Sequence, residues 1–132
     1  MQGDHKPNFL IVDNDDRILW KFQELLEGEG LETCATWSGR EALAMLRSGA
    51  FDVLLVDDYL PDLHSHDFLE RVAHLPCQPS IVVMQNTPPR YNDREAYLAL
   101  GVSDFVNKND SAEVCRTVTS CCDQSVSRKV VH

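Results

Sequence analysis

Two aspartates and one lysine stand where short apolar runs end. Asp13 follows Phe9-Leu10-Ile11-Val12, Asp57 follows Val53-Leu54-Leu55-Val56, and Lys108 follows Phe105-Val106. Apolar runs this short, bounded by turn signals, read as fully buried parallel strands. In an open α/β sheet, ligands bind outside the carboxyl ends of the strands. Two carboxylates and an ammonium gathered there would suit a divalent cation and a phosphoryl group.

The elements that must position these groups alternate regularly along the chain. Strand signals cover Phe9–Val12, Glu32–Ala35, Val53–Val56, Ile81–Met84 and Asp104–Val106. Helix one follows Asp15-Asp16, with Ile18, Leu19, Phe22, Leu25 and Leu26 at helical spacing, and stops at Gly28 to Gly30. Helix two opens at Ser38 or Gly39 and stops at Ser48-Gly49. Helix three spans about 67–75 before Pro76, and helix four about 90–100 before Gly101. Asp110-Ser111-Ala112-Glu113 reads as a capping box that starts helix five. This alternation predicts a three-layer, doubly wound (βα)5 domain with right-handed crossovers. Its five-stranded parallel sheet would take the flavodoxin-like order 2-1-3-4-5, with a switch point between strands one and three. Residues 1–7 read as an N-terminal extension, 8–123 as the domain and 124–132 as a frayed tail.

Bulk composition excludes several classes. A net charge of -9 over 132 residues argues against a basic nucleic-acid face. No apolar run approaches the length of a membrane helix. The five cysteines are odd in number and lack a C-x-x-C pair, which reads as reduced thiols in a cytoplasmic protein.

Four segments together resemble one family. They are Val12-Asp13-Asn14-Asp15, Ser38-Gly39-Arg40-Glu41-Ala42-Leu43, the run from Val53 through Asp57-Asp58-Tyr59-Leu60-Pro61, and Gly101 through Asn107-Lys108. In order and at these separations they look like the response-regulator receiver domain of two-component signalling, over roughly residues 8–123. The resemblance implies a phosphoacceptor domain rather than an enzyme, loaded by a sensor histidine kinase or a phosphotransfer protein. It implies Asp57 as phosphoacceptor, with Asp58 the competitor by spacing alone. Strand alternation favours Asp57, since one step along a strand reverses the side-chain direction. It also implies Mg2+ held by Asp13, Asn14, Asp57 and the backbone carbonyl of Tyr59. Lys108 would contact the phosphoryl group, Phe105 would be the switch aromatic, and a downstream protein would meet the helix four–strand five–helix five face, where homodimers also form in this family. Asp15 and Asp16 read as a helix cap and a first-turn acid. Asp58 reads as a solvated loop acid, and His64 and His66 as loop residues.

The pattern is broken in four places. Asn14 replaces the second acid of the strand-one pair and is neutral, which predicts weaker Mg2+ binding. The hydroxyl residue at the end of strand four is replaced by Gln85 or Asn86, with Thr87 able to substitute only in a displaced loop. Asn109 follows Lys108 where the family has proline, so a cis bond is not expected there. Asp62-Leu63-His64-Ser65-His66 lacks the usual Asp-Gly, and Ser65 pays more than glycine for a positive φ. Two readings follow: a phosphoacceptor domain with altered metal and switch residues, or a receiver-like interaction module that works without phosphorylation. A flavin-binding domain does not fit, because Asp13-Asn14-Asp15-Asp16 would repel a phosphate.

Overall fold

The computed structural model describes residues 7–86 and 94–130. Five strands and five helices alternate: β1 (Asn8–Val12), α1 (Asp16–Glu27), β2 (Glu32–Thr36), α2 (Gly39–Ser48), β3 (Val53–Asp57), α3 (Ser65–Ala73), β4 (Ser80–Gln85), α4 (Arg94–Ala99), β5 (Val102–Asn107) and α5 (Ser111–Val130). The sheet is parallel throughout, in the order β2-β1-β3-β4-β5. The doubly wound reading of the sequence is therefore correct.

Strand alternation divides the core in two. Leu10, Val12, Leu54, Val56, Ile81 and Val83 face α2, α3 and α4, where they meet Leu43, Phe68, Leu69 and Tyr97. Phe9, Ile11, Val53, Leu55, Val82 and Met84 face α1 and α5, where they meet Leu19, Phe22, Leu26, Val114 and Val118. Residues two apart share a face, so Asp13 and Asp57 continue the set that faces α1 and α5. The β1–β3 register pairs Phe9 with Val53 and Val12 with Val56. Extended by one step, it sets Asp13 beside Asp57.

Element ends depart from the sequence reading in instructive ways. β5 starts at Val102 and β4 at Ser80, because ladder hydrogen bonds extend beyond the apolar residues that signal a strand. α3 begins at Ser65, two residues early, because the His64 side chain caps it by accepting from the His66 N–H at 3.2 Å. Ser65 does not adopt positive φ; among the described residues only Gly30 and Gly101 do, each where a helix stops. α4 is described over Arg94–Ala99, and residues 90–93 of its expected span lie outside the described residues. α5 continues to Val130, through most of the segment expected to fray. That segment contains no glycine or proline to stop a helix.

The loop after β3 is tied to the start of α2. Ser38 caps α2 by accepting from the Glu41 N–H at 3.1 Å. Asp62 reaches the same helix end: Oδ1 accepts from the Gly39 N–H at 2.9 Å, and Oδ2 from the Arg40 N–H and the Ser38 hydroxyl, each at 3.0 Å. Gly39 permits this approach, since a Cβ there would lie 3.1 Å from Leu60 Cδ1 and 3.3 Å from Leu63 Cβ. Burial alone would raise the Asp62 pKa, but the Gly39, Arg40 and Ser38 hydrogen bonds outweigh it and hold it below the usual carboxylate value. Asp62→Ala is expected to lose about 1–2 kcal/mol, as a lost helix cap does. A depressed pKa contributes stability that is complete above the unfolded-state value and disappears as pH falls through the folded-state value. The wild-type advantage should therefore vanish in acid, and urea unfolding at neutral and acidic pH measures both effects. Equal stability of the two proteins at neutral pH would refute the cap.

Candidate phosphoryl and metal site

The carboxyl ends of β1, β3 and β5 converge on one acidic notch. Asp13 is fully buried. Its backbone N–H donates to the Thr36 carbonyl at 3.2 Å, and its Oδ1 accepts from the Asp15 N–H at 2.9 Å. Asp15 then caps α1, accepting from the Arg17 N–H at 2.9 Å, and Asp16 lies in the first turn. Both were expected in those places. Lys108 extends its ammonium between the acids, with Nζ 2.8 Å from Asp13 Oδ2 and 3.1 Å from Asp57 Oδ1. Its backbone N–H donates to the Gln85 carbonyl at 2.9 Å. The structure thus brings together all three groups that the strand ends singled out.

The electrostatics follow from burial and from an imbalance of charge. Asp57 is pushed up to about 7 by burial first and the Asp13 carboxylate second, against the opposing pull of the Lys108 ammonium. Burial alone would lower the Lys108 pKa, but the Asp13 and Asp57 carboxylates outweigh it and hold the ammonium charged. One ammonium serves two buried acids, so the notch has room for further positive charge. Oxygen-bearing residues stand around it: the buried Asp13 and Asp57 carboxylates, with Asn14 and Tyr59 on the border of the adjoining depression. Mg2+ takes ligands of this kind and commonly keeps several waters, so the residues present fit it. Asn14, Asp57, Tyr59, Asn86 and Lys108 border an open depression of about 570 Å³.

Other expected residues fall into place unevenly. Asp58 is buried, not solvated: it is 1 % exposed, its N–H donates to the Met84 carbonyl at 3.0 Å, and its carbonyl accepts from the Ser65 hydroxyl at 2.7 Å. The bond to Ser65 ties the start of α3 to the residue after Asp57. No sequence signal marked this, because alternation does not say where a strand gives way to its loop. His64 and His66 belong to the start of α3 rather than to a free loop. Gln85 is buried at the end of β4, whereas Asn86 borders the depression. Thr87 lies outside the described residues. Phe105 is 8 % exposed and faces α4. Its ring stacks on Tyr97 with centroids 6.2 Å apart, and the Arg94 guanidinium lies 4.2 Å from its centroid. Sequence reasoning missed Arg94, because cation–π partners carry no periodic signal.

A doubly wound sheet with an acid pair at its switch point and a lysine just past its last strand fits the receiver class of α/β domain. The chain belongs to the response regulator receiver domain family, whose model matches residues 9–119. It is 28% identical over 124 residues to an uncharacterized 14.6 kDa protein in the sodA1 3′ region of Leptolyngbya boryana, covering 92% of this chain and 95% of that one. It is 29% identical over 102 residues to the response regulator SaeR of Staphylococcus aureus, covering 76% of this chain but only 43% of SaeR. Its fold matches the receiver domain of the sensor histidine kinase PA1611 from Pseudomonas aeruginosa PAO1, with a TM-score of 0.78 at 19% identity over 90% of this chain and 99% of that one. That structure has a magnesium ion coordinated in its active site cleft. Among the described residues, no helix is long and apolar enough to cross a membrane.

Proposed function

We propose that this chain accepts a phosphoryl group on Asp57 from a histidine kinase or phosphotransfer protein and passes the signal to a downstream protein. The carrying observation is the buried Asp13–Lys108–Asp57 cluster at the switch point. An Asp57 carboxylate oxygen attacks phosphorus in line. A P–O bond forms as the donor's P–N bond breaks, and the electron pair returns to the imidazole nitrogen. Phosphoryl transfer asks little covalent work of the protein; it needs positioning and positive charge on the equatorial oxygens. The Lys108 ammonium, 3.1 Å from Asp57 Oδ1, would supply one such charge. Asp13, Asn14, Asp57 and the Tyr59 carbonyl would hold Mg2+, and the bound ion would supply further positive charge for the transferring group. Asp58 is buried, tied through its backbone to β4 and α3, and does not border the depression, whereas Asp57 does, which favours Asp57 over Asp58 as the acceptor.

The resulting charge would act on the nearby loops and on Gln85, Asn86 and Phe105. A protein partner, or a second copy of the chain, would read the α4–β5–α5 face, with cytoplasmic signalling as the setting. The test is incubation with a small-molecule phosphodonor and Mg2+, then peptide mapping of the adduct. An acyl phosphate on Asp57 is expected. No adduct at any donor concentration would overturn the proposal. It would instead favour a phosphorylation-independent docking module, a reading that draws on the neutral Asn14 and the Gln85-Asn86 strand end.

A further inference from the structure

Lys108 bridges Asp13 and Asp57 from the turn that follows β5. Proline would hold such a turn by fixing φ, but the residue after Lys108 is Asn109. Hydrogen bonds hold this turn instead. The Asn107 N–H donates to Glu113 Oε1 at 3.0 Å, which ties the end of β5 to the first turn of α5. The Asn107 side chain accepts from the Asn109 N–H through Oδ1 at 2.9 Å, and its carbonyl accepts from the Asp110 N–H at 2.9 Å. Asp110 closes the loop, its Oδ1 accepting from the Glu113 N–H at 3.1 Å. The expected capping box is thus half diverted: Asp110 caps α5, but Glu113 reaches past it to Asn107. The Lys108 N–H is fixed in turn by the Gln85 carbonyl. The residues on both sides of Lys108 are therefore pinned, one of them by a carboxylate from the next helix.

We propose that Glu113 and Asn107 are positioning residues that replace a proline turn and aim the Lys108 ammonium into the notch between Asp13 and Asp57. Neither side chain is among those bordering the depression, so both would act through Lys108. A hydrogen bond to an ionised acceptor is about twice as strong as a neutral one, so the Glu113 carboxylate is the stronger anchor. Its amide isostere keeps an accepting oxygen. A catalytic group misplaced by about 1 Å can cost roughly a hundredfold in rate. The consequence for phosphoryl transfer rests on the function proposed above; the aiming of Lys108 does not.

The Lys108 Nζ resonance in nitrogen-edited NMR, assigned by its loss in Lys108→Ala, reads the aim directly. A slowly exchanging ammonium is expected in the wild type and in Glu113→Gln. In Glu113→Ala and Asn107→Ala it should exchange faster with water by roughly tenfold, taking a lost anchor of about 1.4 kcal/mol, while amide spectra and cooperative unfolding persist. Adduct formation from a small phosphodonor should slow by about tenfold or more in both alanine variants and recover in Glu113→Gln. If Glu113→Ala does not fold, Asn107→Ala, which keeps the Glu113 tie through its backbone, carries the test. Wild-type ammonium exchange in a folded alanine variant overturns the proposal. Altered exchange supports it even where the wild type takes no phosphoryl group, an outcome that would sink the proposed function alone.

Discussion

Lys108→Ala is expected to slow formation of the Asp57 adduct by roughly 10²- to 10³-fold, the loss seen when one preorganised donor to a developing oxyanion is removed. The ammonium already sits within 3.1 Å of the Asp57 oxygen, so little reorganisation separates the resting site from one that meets a phosphoryl oxygen. Lys108→Arg should rescue poorly, because a planar fork does not fill the position of a compact point charge. Lys108→Ala should also destabilise the fold in metal-free buffer by about 3 kcal/mol, since removing one partner of a buried ion pair leaves the other charges uncompensated. Adding Mg2+ should return part of this, because a ligand that binds only the folded state stabilises it by mass action. Quenched mass spectrometry and thermal unfolding with and without chelator measure the two effects. Adduct formation at the wild-type rate would refute the role assigned to Lys108.

Asp57→Asn should remove the adduct completely and, in chelator, make the protein more stable than the wild type at pH 8. A carboxyl raised from the ordinary 3.8 to about 7 corresponds to an upper limit of about 4 kcal/mol. The sign follows from proton binding. Between the two values the folded state holds more protons than the unfolded chain, so wild-type stability falls as pH rises through this window. Below it the penalty is absent, and above it the penalty is constant. The variant should show no such fall, and Mg2+ should raise its unfolding temperature much less than that of the wild type. Parallel stability–pH profiles for the two proteins would contradict this account.

Fold and site differed in how far the sequence exposed them. The strand order and the meeting of Asp13, Asp57 and Lys108 could be read because they depend on alternation, turn residues and the rules of parallel sheets. The burial of Asp58 could not, because an aspartate at a strand end looks the same whether it enters the loop or the core. The Asp62 tie to α2 and the Glu113 tie to Asn107 were hidden for a related reason. Each joins residues whose types have ordinary local uses, a turn in one case and a capping box in the other. Helix ends were the least legible. α5 runs to Val130 because no residue stops it, and the weak pattern of its last turns gave no sign of that.

The contacts of Phe105 set a cost on any outward motion of its ring. Its ring is sheltered between Tyr97 and Arg94 and has no hydroxyl to exchange for a partner outside. Swinging outward would give up apolar shelter worth about 1.5–3 kcal/mol with nothing polar gained in return. The outward rotamer is then populated at less than about 10 per cent at rest. Whatever event recruits that rotamer must bring its own greasy contact surface, so a bound partner is better suited to draw the ring out than a charge change alone.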